Sequence, residues 1–180
     1  TLSTHLGNGA HAVLPRHPNY IWEQLGEDRL NADFIADGIH IGKTFLKVAL
    51  RAKGVDRSIL VTDASSPAGA APGRYMLADQ AVDLTEDDRV VLAGQTRLAG
   101  SALKMHKGVE NLMRLGGLSL VEAITMATRN PARVGRIAGR QRVLTAGERA
   151  DLVLFDLSSD GVITVLETWI GGECYYRRVG

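Results

Sequence analysis

The stretch SILVTDASSPAGAAPG, residues 58–73, decides the fold. Ile59, Leu60, Val61 and Thr62 form an apolar, β-branched run without polar alternation, the pattern of a strand buried on both faces. The run stops at Asp63, and a Pro/Gly/Ala-rich loop follows. Working upstream, KTFLKVALRAKG (43–54) predicts a helix stopped by Gly54, and ADFIADGIH (32–40) is a short apolar run that ends at a Gly and His40. Tyr20 to Leu25 suits a short amphipathic helix after the turn at Pro15 and Pro18, and residues 1–4 read as a strand leading into His5 and the turn formers Gly7-Asn8-Gly9. The order is strand, polar side chain, loop, helix and strand again. His5 to His40 is 35 residues and His40 to Asp63 is 23, bracketing the roughly 30 residues of a βαβ unit. In a parallel barrel the C-terminal strand ends converge on one mouth, so His5, His40 and Asp63 are expected to share a site.

Downstream, Arg74 to Gly94 reads as short strands joined by an acidic turn, and SALKMHKGVENLMRLGG (101–117) as a helix closed by Gly116-Gly117. Ser119 and Glu122 form a capping box, which starts a helix expected to break before Pro131. ADLVLFDL and GVITVLETWIGGECYY predict two strands, a hairpin outside the barrel, with a domain boundary between residues 142 and 143.

Composition narrows the partners. The 180 residues carry 21 Lys plus Arg against 20 Asp plus Glu, a net charge of +1, so no global field recruits nucleic acid or an anionic membrane, and a small molecule is the expected partner. No apolar run approaches the roughly 20 residues needed to span a bilayer. The single Cys174 excludes an internal disulfide framework and fits a reducing cytoplasm. The opening TLSTHLGNGA starts in mid-pattern, so a fragment of a longer chain is expected.

Taken singly, each candidate has a plainer role: His5 could cap its turn, His40 could donate to a buried carbonyl, and Asp63 could cap a helix or close an Asx-turn. What sets these three apart is their common phase, which His11, His17 and His106 lack. A His ligand and a carboxylate at one mouth suit metal-assisted hydrolysis, in which bound water loses a proton near neutral pH and a carboxylate passes that proton to a leaving amine. Only His5 offers itself clearly as a ligand, short of the usual three. Residues 94–100 lack the lysine and serine of a phosphate loop, and Cys174 reads as inert.

The sequence resembles the C-terminal half of N-acetylglucosamine-6-phosphate deacetylases of the amidohydrolase superfamily through THLGNGA, IADGIH, LVTDASSPAG, LAGSALKM, VEAITMATRNPAR and AGERADLVLFD, in family order. The resemblance implies an α/β fold, the last part of a (β/α)8 TIM-type barrel over 1–142 plus strands of a small β-sandwich over 143–180. It implies hydrolysis of a sugar N-acetyl group with a divalent metal, zinc first and iron as an alternative. His5 is then the metal ligand, His40 binds the sugar and polarises the scissile amide, and Asp63 is the catalytic acid/base. Asn8, Gly9, Ala10 and Arg16 fall where the family binds substrate, with Arg16 reaching across a dimer interface. Asn8-Gly9-Ala10 departs from the family's Asn-Ala-Met, and Arg16-His17-Pro18-Asn19 from its Arg-x-Pro-Gly. The family's remaining strands and metal ligands lie before Thr1 in this alignment, which predicts a homo-oligomer and weak or absent turnover by the isolated chain. The alternatives are another amidohydrolase, acting on cyclic amides or as a deaminase, and a sugar-binding remnant without catalysis.

Overall fold

The structure, a computed structural model, describes residues 1–142 and 144–179. Strands β1 (Leu2–Ser3), β2 (Asn31–Ile35) and β3 (Ser58–Val61) pair in parallel in that spatial order. Parallel neighbours need crossovers. Helix α1 (Tyr20–Gly26) supplies the first and α2 (Lys43–Lys53) the second. Asn19 starts α1, its side chain accepting the backbone N–H groups of Ile21 and Trp22. Gly54 ends α2 as expected, at φ 71°. The apolar stripe Leu46, Ala49 and Leu50 of α2 packs with Phe34 and Leu60 of the sheet in the main core. Each of the leucines and Phe34 contributes about 1.5–3 kcal/mol by leaving water, so the sheet and its helices are held chiefly by this layer.

Strands β4 (Gly73–Leu77), β5 (Gln80–Leu84), β6 (Arg89–Leu92) and β7 (Leu98–Ser101) form an antiparallel sheet with a small core of its own around Val82, Leu84, Val90 and Ala102. The acidic turn is at Thr85 to Asp88, as the sequence implies, whereas β7 adds a strand where the sequence predicts none. Leu-Ala-Gly-Ser carries no β-branched residue, so its pairing with β6 comes from the sheet rather than from propensity. Through β7 this sheet grips the loop after Asp63: Ser65 donates its N–H at 2.9 Å and its hydroxyl at 3.1 Å to the Ser101 carbonyl.

Helix α3 (Met105–Asn111) runs into a π-turn at Leu112–Gly116, and Gly117 closes it at φ 78°. Helix α4 (Leu120–Ala127) begins with the expected capping box at Ser119 and Glu122. It breaks before Pro131 as expected, at Thr128, and a further short helix, α5 (Arg129–Val134), contains Pro131. Pro131 falls within the first turn, where its missing N–H forfeits no intrahelical bond.

Strands β8 (Leu152–Leu157), β9 (Ile163–Ile170) and β10 (Glu173–Arg177) form a third, antiparallel sheet. The expected two strands are three, because Gly171 and Gly172 turn the chain at φ 61° and 90° inside the second predicted run. Ile163 is buried in the main core, and its N–H donates to Glu110 of α3 at 2.8 Å, so this sheet leans on the helices. The predicted boundary between 142 and 143 falls on a residue outside the described ones.

Candidate active site

His5 follows β1 by two residues and Asp63 follows β3 by two, so the two side chains share a phase across the sheet. Both adopt left-handed backbone conformations, φ 33° for His5 and φ 47° for Asp63. Such conformations cost about 1–3 kcal/mol each for a residue with a side chain, and persist where the surroundings impose them. The His5 Nδ1 atom is buried and has no hydrogen-bond partner.

Between them lies a residue that the sequence reading passed over. Alternation along β2 sends Ala32 and Phe34 into the helix-packed core and Asp33 to the opposite face. Asp33 is only 4% exposed. Its carboxylate accepts the backbone N–H of His5, and its carbonyl accepts that of Leu6 at 2.9 Å. Burial pushes the Asp33 carboxyl above its ordinary value; the His5 N–H and the nearby imidazole oppose this, and the charge on Asp63 adds to the rise. The available signal was a lone carboxylate inside a strand that is otherwise apolar from Ala32 to Ile35, an expensive placement. His5, Asp33 and Asp63 line one open cleft of about 470 Å³ with Thr4, Thr62 and Met105.

A second cleft, of about 540 Å³, shares Thr4 and His5 with the first and is lined by Asn8, Gly9, Ala10, His11 and Tyr20. The Tyr20 hydroxyl meets the His11 backbone N–H at 2.9 Å and His11 Nδ1 at 3.0 Å. Gly7 makes the intervening turn possible: it sits at φ 91°, and a β-carbon there would come within 2.5 Å of the Phe45 ring. The two clefts therefore meet at His5, with carboxylates on one side and amide, imidazole and phenol groups on the other.

His40 departs from expectation. It lies five residues beyond the end of β2, not at the strand terminus. The strand stops at Ile35 because Asp37 draws the following backbone into a local turn, accepting the N–H groups of Ile39 at 2.8 Å and His40 at 2.9 Å. The other Asp37 oxygen meets His40 Nδ1 at 2.6 Å, with the two side chains 8% and 5% exposed. Burial works to raise the Asp37 carboxyl, but the His40 ring and the two N–H groups outweigh it and hold it below the usual range. His40 lines neither cleft, and Arg16 sits exposed in the loop before α1, also outside both linings.

Among the described residues no three His, Cys, Asp or Glu side chains converge to hold a metal ion. A catalytic zinc takes three protein ligands. The unpartnered buried nitrogen of His5 fits the role of one such ligand.

Polar groups gather at the ends of parallel strands in an α/β layer, and the sequence matches the amidohydrolase family over residues 16–176. The chain belongs to the amidohydrolase family. It is 32% identical over 162 residues to the N-acetylglucosamine-6-phosphate deacetylase of Bacillus subtilis (strain 168), covering 90% of this chain and 40% of that protein. It is also 32% identical to a putative N-acetylgalactosamine-6-phosphate deacetylase of Escherichia coli (strain K12), covering 94% of this chain and 97% of that one. Among solved structures, the Thermotoga maritima N-acetylglucosamine-6-phosphate deacetylase superposes with a TM-score of 0.84 at 30% identity, over 98% of this chain and 47% of that one. A mutant of the Mycobacterium smegmatis enzyme in complex with N-acetyl-D-glucosamine-6-phosphate also gives 0.84, at 28% identity, over 97% of this chain and 45% of that one. The chain thus spans less than half the length of most of these relatives and nearly all of the Escherichia coli one.

Proposed function

We propose that the chain is the C-terminal part of a metal-dependent deacetylase that hydrolyses the N-acetyl group of an amino sugar 6-phosphate, giving acetate and the free amine. The observation that carries this reading is the cleft shared by His5, with its unpaired buried nitrogen, and the exposed carboxylate of Asp63. Within it, the three parallel strands are the last strands of a TIM-type barrel, and β8 to β10 belong to a small β-sandwich. His5 would be one metal ligand, and zinc or a comparable divalent ion held there would supply a water acidic enough to lose its proton near neutral pH. Asp63 takes the proton of the attacking water and delivers it to the departing amine nitrogen, which needs a carboxylate that water and substrate can reach. His40, held by Asp37 outside both clefts, is assigned to the sugar and the acetyl oxygen by the family resemblance. Asn8, Gly9 and Ala10, in the adjoining cleft, hold the phosphate, with Arg16 contributed by a second copy across the oligomer interface. Relatives named for glucosamine and galactosamine substrates match equally well, so the reading commits to the N-acetylhexosamine 6-phosphate class. A cytoplasmic homo-oligomer completes the proposal, in keeping with the lone exposed Cys174 thiol.

The test is acetate release from N-acetylglucosamine 6-phosphate and its galacto epimer, with and without added zinc, by the chain and by Asp63→Asn. Release is expected to be weak, because the ligand set is partial, to need metal, and to fall by about 10³-fold in the variant. Equal release by both proteins sinks the acid/base role, and hydrolysis of cyclic amides in place of the sugar points to another amidohydrolase reaction. The incomplete ligand set also favours a second reading, a sugar-phosphate binder without catalysis. Calorimetric binding of the sugar phosphate with no acetate from the wild-type chain establishes that reading.

A further inference from the structure

We infer that Asp33 is a positioning residue, a clamp that sets the His5 turn and holds the imidazole ready for its ligand before anything binds. Its catalytic consequence rests on the deacetylase reading; the clamp itself does not.

Two successive amides, those of His5 and Leu6, are both captured by Asp33, one by its carboxylate and the other by its main-chain carbonyl at 2.9 Å. A residue that binds two adjacent N–H groups fixes the peptide plane between them. His5 is the residue whose φ, 33°, lies where side-chain-bearing residues are rare. Released from the clamp, the turn would relax toward negative φ and the ring would swing with it. A buried carboxylate is normally matched by a cation. Asp33 has no such partner: none of the ion pairs among the described residues includes it. The ring it supports keeps Nδ1 buried and unbonded.

Left-handed backbone, unpaired buried carboxylate and orphan ring nitrogen fall on two residues in contact. A leucine at position 33 would suit the strand better if packing were the purpose. Ligating histidines are usually steered by a carboxylate bonded to the ring. Here the carboxylate grips the main chain of the histidine, leaving both ring nitrogens free of it.

The test uses the 180-residue chain, isotopically labelled. The clamp predicts a through-hydrogen-bond scalar coupling between the His5 amide nitrogen and the Asp33 carboxyl carbon. It predicts His5 amide exchange at least roughly tenfold faster in Asp33→Ala than in wild type. Asp33→Asn, whose side-chain oxygen still accepts the N–H, should keep the slow exchange. In turnover, Asp33→Ala should lower kcat without changing KM for the sugar phosphate, and Asn should restore it. Absence of the coupling in the wild-type chain, or unchanged His5 amide and ring signals in Asp33→Ala, overturns the clamp. If Asp33→Ala does not fold, the wild-type coupling and the Asp33→Asn exchange decide. If the wild-type chain releases no acetate, catalysis by this chain is excluded and the sugar-binding reading stands, while the coupling still judges the clamp.

Discussion

The parallel strands β1 to β3 and the antiparallel sheet β4 to β7 both carry side-chain-bearing residues at positive φ, for different reasons. In the antiparallel sheet, Ala78 at φ 53° lies in the two-residue loop between β4 and β5, where hairpin geometry demands such a value, and Asp88 at φ 59° closes the turn before β6. Polar groups there have partners at the surface: Arg74 makes two bonds to Asp83, whose carboxyl it holds down to about 2, and Asp83 also accepts the Gly94 N–H. In the parallel layer, His5 and Asp63 close no hairpin, Asp33 is buried without a cation, and a ring nitrogen goes unbonded. Strain that a turn type accounts for is architecture. Strain with no such account marks the place where a ligand or a reaction is expected.

Replacing residues on either side of that division sharpens it. The largest loss of stability should come from Asp37→Ala, which strips three partners from buried groups around His40 and should cost about 3 kcal/mol in denaturant titration. Because Asp37 is held below the ordinary carboxylate value when folded, its contribution is present above about pH 4 and is lost as pH falls through the lowered folded value. Asp37→Ala should therefore flatten the acid limb of the stability profile; an unchanged slope would show that the pair does not act. A smaller effect of opposite sign is expected in the hairpin, where Ala78→Gly removes strain without touching chemistry. It should gain about 1 kcal/mol and leave acetate release unchanged.

Much of this layout is legible in the sequence, and the exceptions have physical causes. Ile59 to Thr62 followed by Asp63 announces strand and site together, and Ser119 with Glu122 announces α4, because an apolar run and a capping box are local signals. β7 was hidden because its pairing comes from a neighbouring strand, and β10 because a Gly-Gly turn divides a continuous β-like run. The end of β2 was misplaced by the side-chain hydrogen bonds of Asp37, which apolar periodicity does not register. Asp33 escaped because carboxylates were weighed only at strand ends, and its partner, the His5 amide, lies 28 residues away.

The most direct measurement pairs thermal denaturation with acetate release for Asp63→Gly. Asp63 is exposed, and its carboxylate takes no hydrogen bond among the described residues, so glycine removes only the cost of the left-handed conformation and the charge. The account predicts a gain of about 1 kcal/mol in stability together with a loss of turnover of about 10³-fold. A variant that loses stability, or that keeps its turnover, would contradict the claim that strain at the strand ends is held for catalysis.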